Sequence, residues 1–289
     1  FRHHVPSSIQ QIVNVTCLYP VALAQAFGSF KDSFRCENSR IMVLRAAQQD
    51  LVRQRFRRTP RSFETLLGAE SVAPTEPLQK MPLRTALDSV VDNHEVAFLR
   101  GAVQQAFSSG FVPSQGADQS LAPFTEVASD ENLLGQSACE LILCLSQRFL
   151  RHAILAGYAG TQGLEVAGAL LAKLQPPAKE DLLQNPLGGS KSYGYWAPHV
   201  DRANVEKYDV SSILYLSTLG RDFKGGAFAF NDSDKDRLVE PKEGRLLFFD
   251  AGFENLHQVY PVTHGSRLAL SVWFCRSGRL GHPMSPNMK

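Results

Sequence analysis

The chain has 289 residues, 44% hydrophobic and 20% charged, the balance of an ordinary globular protein with material for one large core or two modest ones. Lys and Arg number 30 against 28 Asp and Glu, and the formal charge of +2 is too small to argue for a nucleic-acid or membrane-surface partner. No run of 18 apolar residues occurs, so no membrane span is expected within this sequence, although a start at Phe1 rather than Met leaves room for a trimmed signal peptide or anchor.

Residues 1–82 are expected to be mainly helical. The strongest helix runs from about Asn38 to Arg58, with Ile41, Leu44, Leu51 and Val52 as a partial apolar stripe. The arginines Arg53, Arg55, Arg57, Arg58 and Arg61 suit the C-terminal end of a helix dipole, with an anion-binding patch as the alternative. Three prolines between Ser71 and Pro82 disfavour regular structure, so 1–82 is read as an N-terminal region ending in a Pro-rich linker and 83–289 as the main domain. Asp92 with Glu95 resembles a capping box opening a helix over His94–Phe107, and Asp130 is placed to cap another from Glu131 to about Arg151. A Gly/Ser/Pro-rich loop, Ser108–Pro123, separates them, and a polar segment, Gln175–Ser192, precedes the last third.

From Lys191 onward the pattern changes. Short apolar strands are expected at Val210–Leu216, Gly226–Phe230, Leu246–Phe249 and Leu268–Phe274, the spacing of an all-β sandwich or barrel. Asp222-Phe-Lys-Gly225-Gly226 reads as a turn requiring positive φ. Of the five cysteines, Cys17 and Cys36 could bridge in an oxidising lumen, whereas Cys139, Cys144 and Cys275 are expected as buried thiols. Two sequons, Asn14-Val-Thr16 and Asn231-Asp-Ser233, are candidate glycan sites, the second expected in a surface loop.

The residues that carry chemistry are His199, Asp201, His257 and Arg267. In an extended segment, residues i and i+2 project from one face, so the His199 imidazole and Asp201 carboxylate can reach one ion together, with His257 as a third ligand. Two His and one carboxylate form the facial triad of non-heme Fe(II) oxygenases, although zinc takes the same donors. Arg267 separates the two. It opens a strand whose alternation sets Arg267, Ala269, Ser271 and Trp273 on one face, a cation beside small side chains with room for an anionic ligand. Each of these residues alone is more simply a structural one, and only the set points to a metal.

The stretch from Tyr193 to Cys275 carries a resemblance. Tyr193-Gly-Tyr-Trp-Ala-Pro-His-Val-Asp201, Tyr208 to Ser217, Asp222 to Phe230, Val239-Glu-Pro-Lys-Glu-Gly-Arg-Leu-Leu-Phe-Phe249 and Glu254-Asn-Leu-His257 together resemble the prolyl hydroxylase superfamily of Fe(II)/2-oxoglutarate dioxygenases, and in phrasing the prolyl 3-hydroxylase catalytic domain. The resemblance implies an α+β protein with a double-stranded β-helix (jelly-roll) core, braced by the N-terminal helices. It makes His199, Asp201 and His257 the iron ligands and Arg267 the partner of the distal carboxylate of 2-oxoglutarate, with no catalytic residue beyond the metal ligands. It further implies iron as cofactor, 2-oxoglutarate and molecular oxygen as cosubstrates, ascorbate as an accessory, a peptide or protein substrate with proline foremost, and succinate and CO2 as coproducts.

Two features depart from the pattern. Prolyl 4-hydroxylases tend to place a cosubstrate-contacting tyrosine three residues before the first histidine; here Trp196 holds that position and Tyr195 precedes it, so Tyr195 is the candidate contact. The 34-residue helical repeats that accompany collagen-modifying relatives are absent from these 289 residues. The reading is an Fe(II)- and 2-oxoglutarate-dependent hydroxylase of an unactivated C–H bond, with a secretory-pathway lumen (ER or Golgi) favoured over cytoplasm. The alternatives are a non-catalytic β-helix binding module that retains a metal site, and a zinc hydrolase, for which Glu254 near His257 is the nearest general base.

Overall fold

A computed structural model describes residues 34–58, 84–108, 118–120, 134–160, 163–177 and 195–278. By contacts the chain divides into Phe1–Asn38 with Gly281–Lys289, and Ser39–Leu280, and the fold is that of the second unit. Among the described residues the helices are α1 (Phe34–Arg58), most of which lies in that unit, α2 (Asn93–Ser108), α3 (Gln136–Leu155) and the single turn α4 (Asp201–Asn204). The strands are β1 (Arg84–Leu87), β2 (Asp118–Ser120), β3 (Leu164–Leu174), β4 (Val210–Tyr215), β5 (Phe223–Gly225), β6 (Phe228–Asn231), β7 (Asp236–Val239), β8 (Leu246–Asp250), β9 (His257–Val259), β10 (Val262–Gly265) and β11 (Arg267–Arg276).

The strictly alternating β11 is the centre of a six-stranded sheet ordered β1-β8-β4-β11-β3-β2, all of whose pairs are antiparallel. One face packs Leu268, Leu270, Val272 and Phe274 against α2 and α3, whose buried Val96, Leu99, Val103, Ile142, Leu145 and Phe149 complete a single apolar layer. The other face is turned toward β7-β6-β9, where Phe228 and Phe230 meet Tyr215, Leu247 and Phe249. Two sheets enclosing a side-chain core, with helices on one outer face, are a jelly roll braced by helices.

The α2 cap forms as its sequence dictates: Asp92 Oδ1 accepts from the His94 and Glu95 N–H groups, each at 2.8 Å, and Glu95 Oε2 accepts from the Asp92 N–H. α3 starts at Gln136, behind Gly135 at φ 81°; Asp130 and Glu131 lie outside the described residues. β3 was not expected as a strand. Leu-Glu-Val-Ala-Gly-Ala-Leu-Leu-Ala-Lys-Leu lacks polar alternation because helices cover one face and the opposite sheet faces the other.

Gly225 and Gly226 do have φ of 68° and 66°, but they form a bend inside a ladder rather than a hairpin turn. Tyr260 N–H donates to Ala227 O and Gly226 N–H to Pro261 O, joining the β6-β9 and β5-β10 pairs across it. A Cβ on Gly225 would sit 2.3 Å from Pro261 O, so no other residue fits. Cys139 and Cys275 are buried free thiols and Cys144 is half-buried, while the state of Cys17 and Cys36 lies outside the described side chains. The sequon Asn231 does not lie in a surface loop: it ends β6, is 1% exposed and donates its amide to Asp236 Oδ1. Asn14 lies outside the described residues.

Candidate metal centre

His199, Asp201 and His257 converge at the open end between the sheets. His199 and His257 exchange both backbone hydrogen bonds, N–H to O, at 2.8 and 3.0 Å, which places their rings 4.3 Å apart. The extended backbone expected from His199 to Asp201 continues only through Val200, and Asp201 is the first residue of α4. That turn is fixed by Arg202, whose N–H donates to Ala251 O and whose guanidinium donates to Tyr208 O and Asp209. The ligand-type atoms of the three residues all lie within 4.8 Å of one another.

The hydrogen bonds around the triad decide its protonation. His199 Nδ1 lies 2.8 Å from Ala197 O and His257 Nδ1 lies 2.8 Å from Asn255 O. A carbonyl oxygen only accepts, so each Nδ1 carries a proton and each Nε2 is the ring nitrogen left to face an ion. Both Nε2 atoms approach Asp201 Oδ1, at 3.6 and 3.8 Å. Donor atoms under about 4.2 Å apart can share an ion bound at about 2.1 Å. Burial, reinforced by neighbouring His199, lowers the His257 pKa to about 4, so this ring is neutral near neutrality. Burial alone would raise Asp201, but His257, His199 and the hydrogen bonds from Ser211 and Trp273 outweigh it and hold the carboxyl below its usual range.

Ser211 and Trp273 were not singled out from the sequence. Ser211 Oγ donates to Asp201 Oδ2 at 2.5 Å and Trp273 Nε1 donates to the same oxygen at 3.1 Å, leaving Oδ1 for an ion. They are direct cross-strand partners on β4 and β11, and Tyr208 stacks on Trp273 with centroids 5.1 Å apart. Around His257, Phe228 stacks at 5.2 Å and Phe249 meets it edge-on at 4.9 Å, which restricts the ring to one orientation.

Arg267 is 3% exposed, and among the described residues no carboxylate pairs with it. Its guanidinium carbon lies 5.2 Å from the centroid of the Tyr215 ring. Arg267 Nε and the Tyr215 hydroxyl are buried without a well-formed hydrogen bond, and the guanidinium and the phenol interact only weakly with each other. A carboxylate placed beside them would satisfy both more fully. Burial raises the Tyr215 pKa to about 12, which keeps its O–H a donor. The triad offers the two-His, one-carboxylate donor set of a metal site, and Arg267 with Tyr215 offers a buried cation and a donor for a carboxylate.

Tyr195 stands differently. Its hydroxyl donates to Gln175 O at 3.0 Å and accepts from Val262 N–H at 2.8 Å, and its ring packs with Leu174, Phe223 and Val262. It ties the end of β3 to the start of β10. Trp196 is buried against it, edge to face. Glu254 is exposed and its carboxylate lies against Gly252.

Comparison with known proteins gives the following similarities. Residues 189–275 match the family described as the 2OG-Fe(II) oxygenase superfamily. The 2-oxoglutarate and iron-dependent oxygenase domain-containing protein 3 of Xenopus tropicalis is 30% identical over 245 residues, 79% of this chain and 73% of that protein. Its Homo sapiens namesake is 44% identical over 80 residues, 28% of this chain but 25% of that protein. Prolyl 3-hydroxylase 2 of Homo sapiens is 41% identical over 69 residues, 23% of this chain and 9% of that protein. Among solved structures, a prolyl hydroxylase from Trichoplax adhaerens in complex with a hypoxia inducible factor peptide superposes with a TM-score of 0.50 at 20% identity, over 68% of this chain and 84% of that one.

Proposed function

We propose, from the premise that this chain belongs to the 2OG-Fe(II) oxygenase superfamily, that it hydroxylates an unactivated C–H bond of a peptidyl residue, proline foremost. The observation that carries the oxygenase reading is the convergence of two imidazoles and one carboxylate, together with a buried Arg267 that has no carboxylate partner among the described residues. His199, Asp201 and His257 hold the iron, and Arg267 and Tyr215 take the distal carboxylate of 2-oxoglutarate. Iron and 2-oxoglutarate together supply an oxidative decarboxylation coupled to hydroxylation, with succinate and CO2 as coproducts. The protein fixes both imidazole tautomers, aims one carboxylate oxygen and keeps the cosubstrate pocket dry. Tyr195, engaged at both hydroxyl functions by main chain, serves in this reading as the wall beside that pocket.

The peptidyl substrate is supported by similarity to prolyl 3-hydroxylase 2 over a short segment. The proposal includes ascorbate as an accessory reductant. A secretory-pathway lumen is the proposed compartment, with Asn14 rather than the buried Asn231 as the glycan acceptor. No described helix is long and apolar enough to cross a membrane.

Uncoupled turnover tests the proposal. Protein reconstituted anaerobically with Fe(II) should form succinate from 2-oxoglutarate when oxygen is admitted, and His199→Ala should not. Equal succinate from both, with and without proline-containing peptides, overturns the enzyme reading in favour of a binding module. Arg267→Ala should abolish 2-oxoglutarate binding while leaving the metal in place.

A further inference from the structure

One buried cation lies outside the triad and the cosubstrate pair. Arg84, on β1, is 5% exposed, although β1 is an edge strand of the large sheet. Its fork donates to both oxygens of Asp232 at 2.8 and 2.7 Å, and Arg237 donates to Asp232 from the other side. Its Nε donates at 2.7 Å to Asn255 Oδ1. Asn255 is 1% exposed, and its amide nitrogen donates to Asp250 O at 2.8 Å, so its side chain is held at both ends. The carbonyl of the same residue receives the His257 Nδ1 proton.

Arg84 also reaches His257 by a second route. Its guanidinium carbon lies 3.9 Å from the centroid of Phe230, and Phe230 is the cross-strand partner of His257. A purely structural ion pair between Arg84 and Asp232 needs neither contact. Arg84 therefore braces the carbonyl that sets the tautomer of His257 and the strand residue that backs it.

We propose that Arg84 is a positioning residue for the metal centre, acting through Asn255 to hold His257 in its Nδ1-protonated tautomer with Nε2 toward the ion. The inference rests on the metal reading above, and it extends the site to a strand outside the segment, residues 189–275, that matches the family. Groups of this kind, which orient a ligand's second nitrogen, contribute 10- to 100-fold, roughly, to metal affinity.

The test uses the full chain, Co(II) as probe with its visible absorption reporting the ligand field, and 15N NMR of the apo His257 ring. Arg84→Lys keeps the charge but loses the Nε donor and the fork; Asn255→Ala removes the relay. Each should weaken Co(II) binding by roughly 10- to 100-fold, shift the Co(II) spectrum and mix the His257 tautomers, and the double variant should be no worse than the weaker single. Asp232→Asn, which loosens the ion pair but leaves the Nε contact, should lower thermal stability yet hold Co(II) affinity within about threefold. The inference is overturned if Arg84→Lys and Asn255→Ala bind Co(II) as the parent does, or if Asp232→Asn loses affinity as much as Arg84→Lys. Should Arg84→Lys fail to fold, Asn255→Ala carries the same readouts. His257→Ala separates the two levels: parent-like Co(II) affinity in that variant removes the metal site itself, whereas its loss beside an unaffected Arg84→Lys removes only the positioning role.

Discussion

At the scale of single residues, the order and spacing of His199, Asp201 and His257 marked them as a set, and the structure brings them together; Arg267, singled out for its strand face, is buried. Ser211, Trp273 and Tyr215 were not legible in this way, since their importance comes from register. Ser211 pairs with Trp273 across β4 and β11, and only that pairing brings both to one carboxylate oxygen of Asp201. Tyr215 yields a prediction that separates two assays. Tyr215→Phe removes a buried hydroxyl that interacts only weakly with Arg267, so the stability of the protein without cosubstrate should lie within about 1 kcal/mol of the parent's. The same change removes a donor to a carboxylate, worth about 1.5–3 kcal/mol, so the 2-oxoglutarate Kd measured by calorimetry should rise about 10- to 100-fold. Asp250 supplies a pH prediction. Burial, then neighbouring Glu254, raises its pKa to about 6. A carboxyl raised in the folded state favours folding while protonated, and this contribution is present below the ordinary value near 4 and lost as pH rises through about 6. Asp250→Asn should therefore flatten the stability profile between those values and melt higher than the parent at pH 7, and an unchanged difference at pH 4 and pH 7 would count against this assignment.

At the scale of elements, local signals served best where local chemistry forms the element. The capping box of α2 is built from neighbours in sequence: an acceptor at Asp92, the His94 and Glu95 N–H groups, and a Glu95 carboxylate that returns to the Asp92 N–H. Asp92→Ala should cost about 1 kcal/mol in urea unfolding with an unchanged m-value, because only the helix start is affected. β3 shows the converse. Its Ala- and Leu-rich sequence carries no period-2 alternation, yet it pairs with β11 along nearly its whole length, and tertiary pairing rather than propensity decides its state. The paired glycines mark a case in between: positive φ was readable from Gly225-Gly226, but that they bend a continuing ladder depended on where β10 returns. Gly225→Ala should lose more than about 1 kcal/mol of stability, with the added methyl meeting the carbonyl of Pro261.

At the scale of the molecule, the sequence suggested a mainly helical N-terminal region, residues 1–82, ending in a Pro-rich linker. α1 lies within that region and packs beside the triad. Leu44, Leu51 and Val52 pack against Val200, Ala203 and Leu256, each of which adjoins or nearly adjoins a residue of the triad. Gln48 Oε1 accepts from the backbone N–H of Val200, the residue between His199 and Asp201, at 3.0 Å. The helix stripe was readable in the sequence; its partner was not, because nothing in residues 38–58 names the segment that receives it. If α1 is a separate module, a chain of residues 83–289 should bind Co(II) as tightly as the full chain. The contacts predict otherwise: loss of α1 exposes the apolar side of the triad loop and strands the Val200 N–H, so Co(II) affinity and melting temperature should both fall. Gln48→Ala isolates the polar part. Leaving one buried donor unmet costs about 1–3 kcal/mol, and if that strain is local to the loop, metal affinity should fall in this variant while the unfolding m-value stays that of the parent.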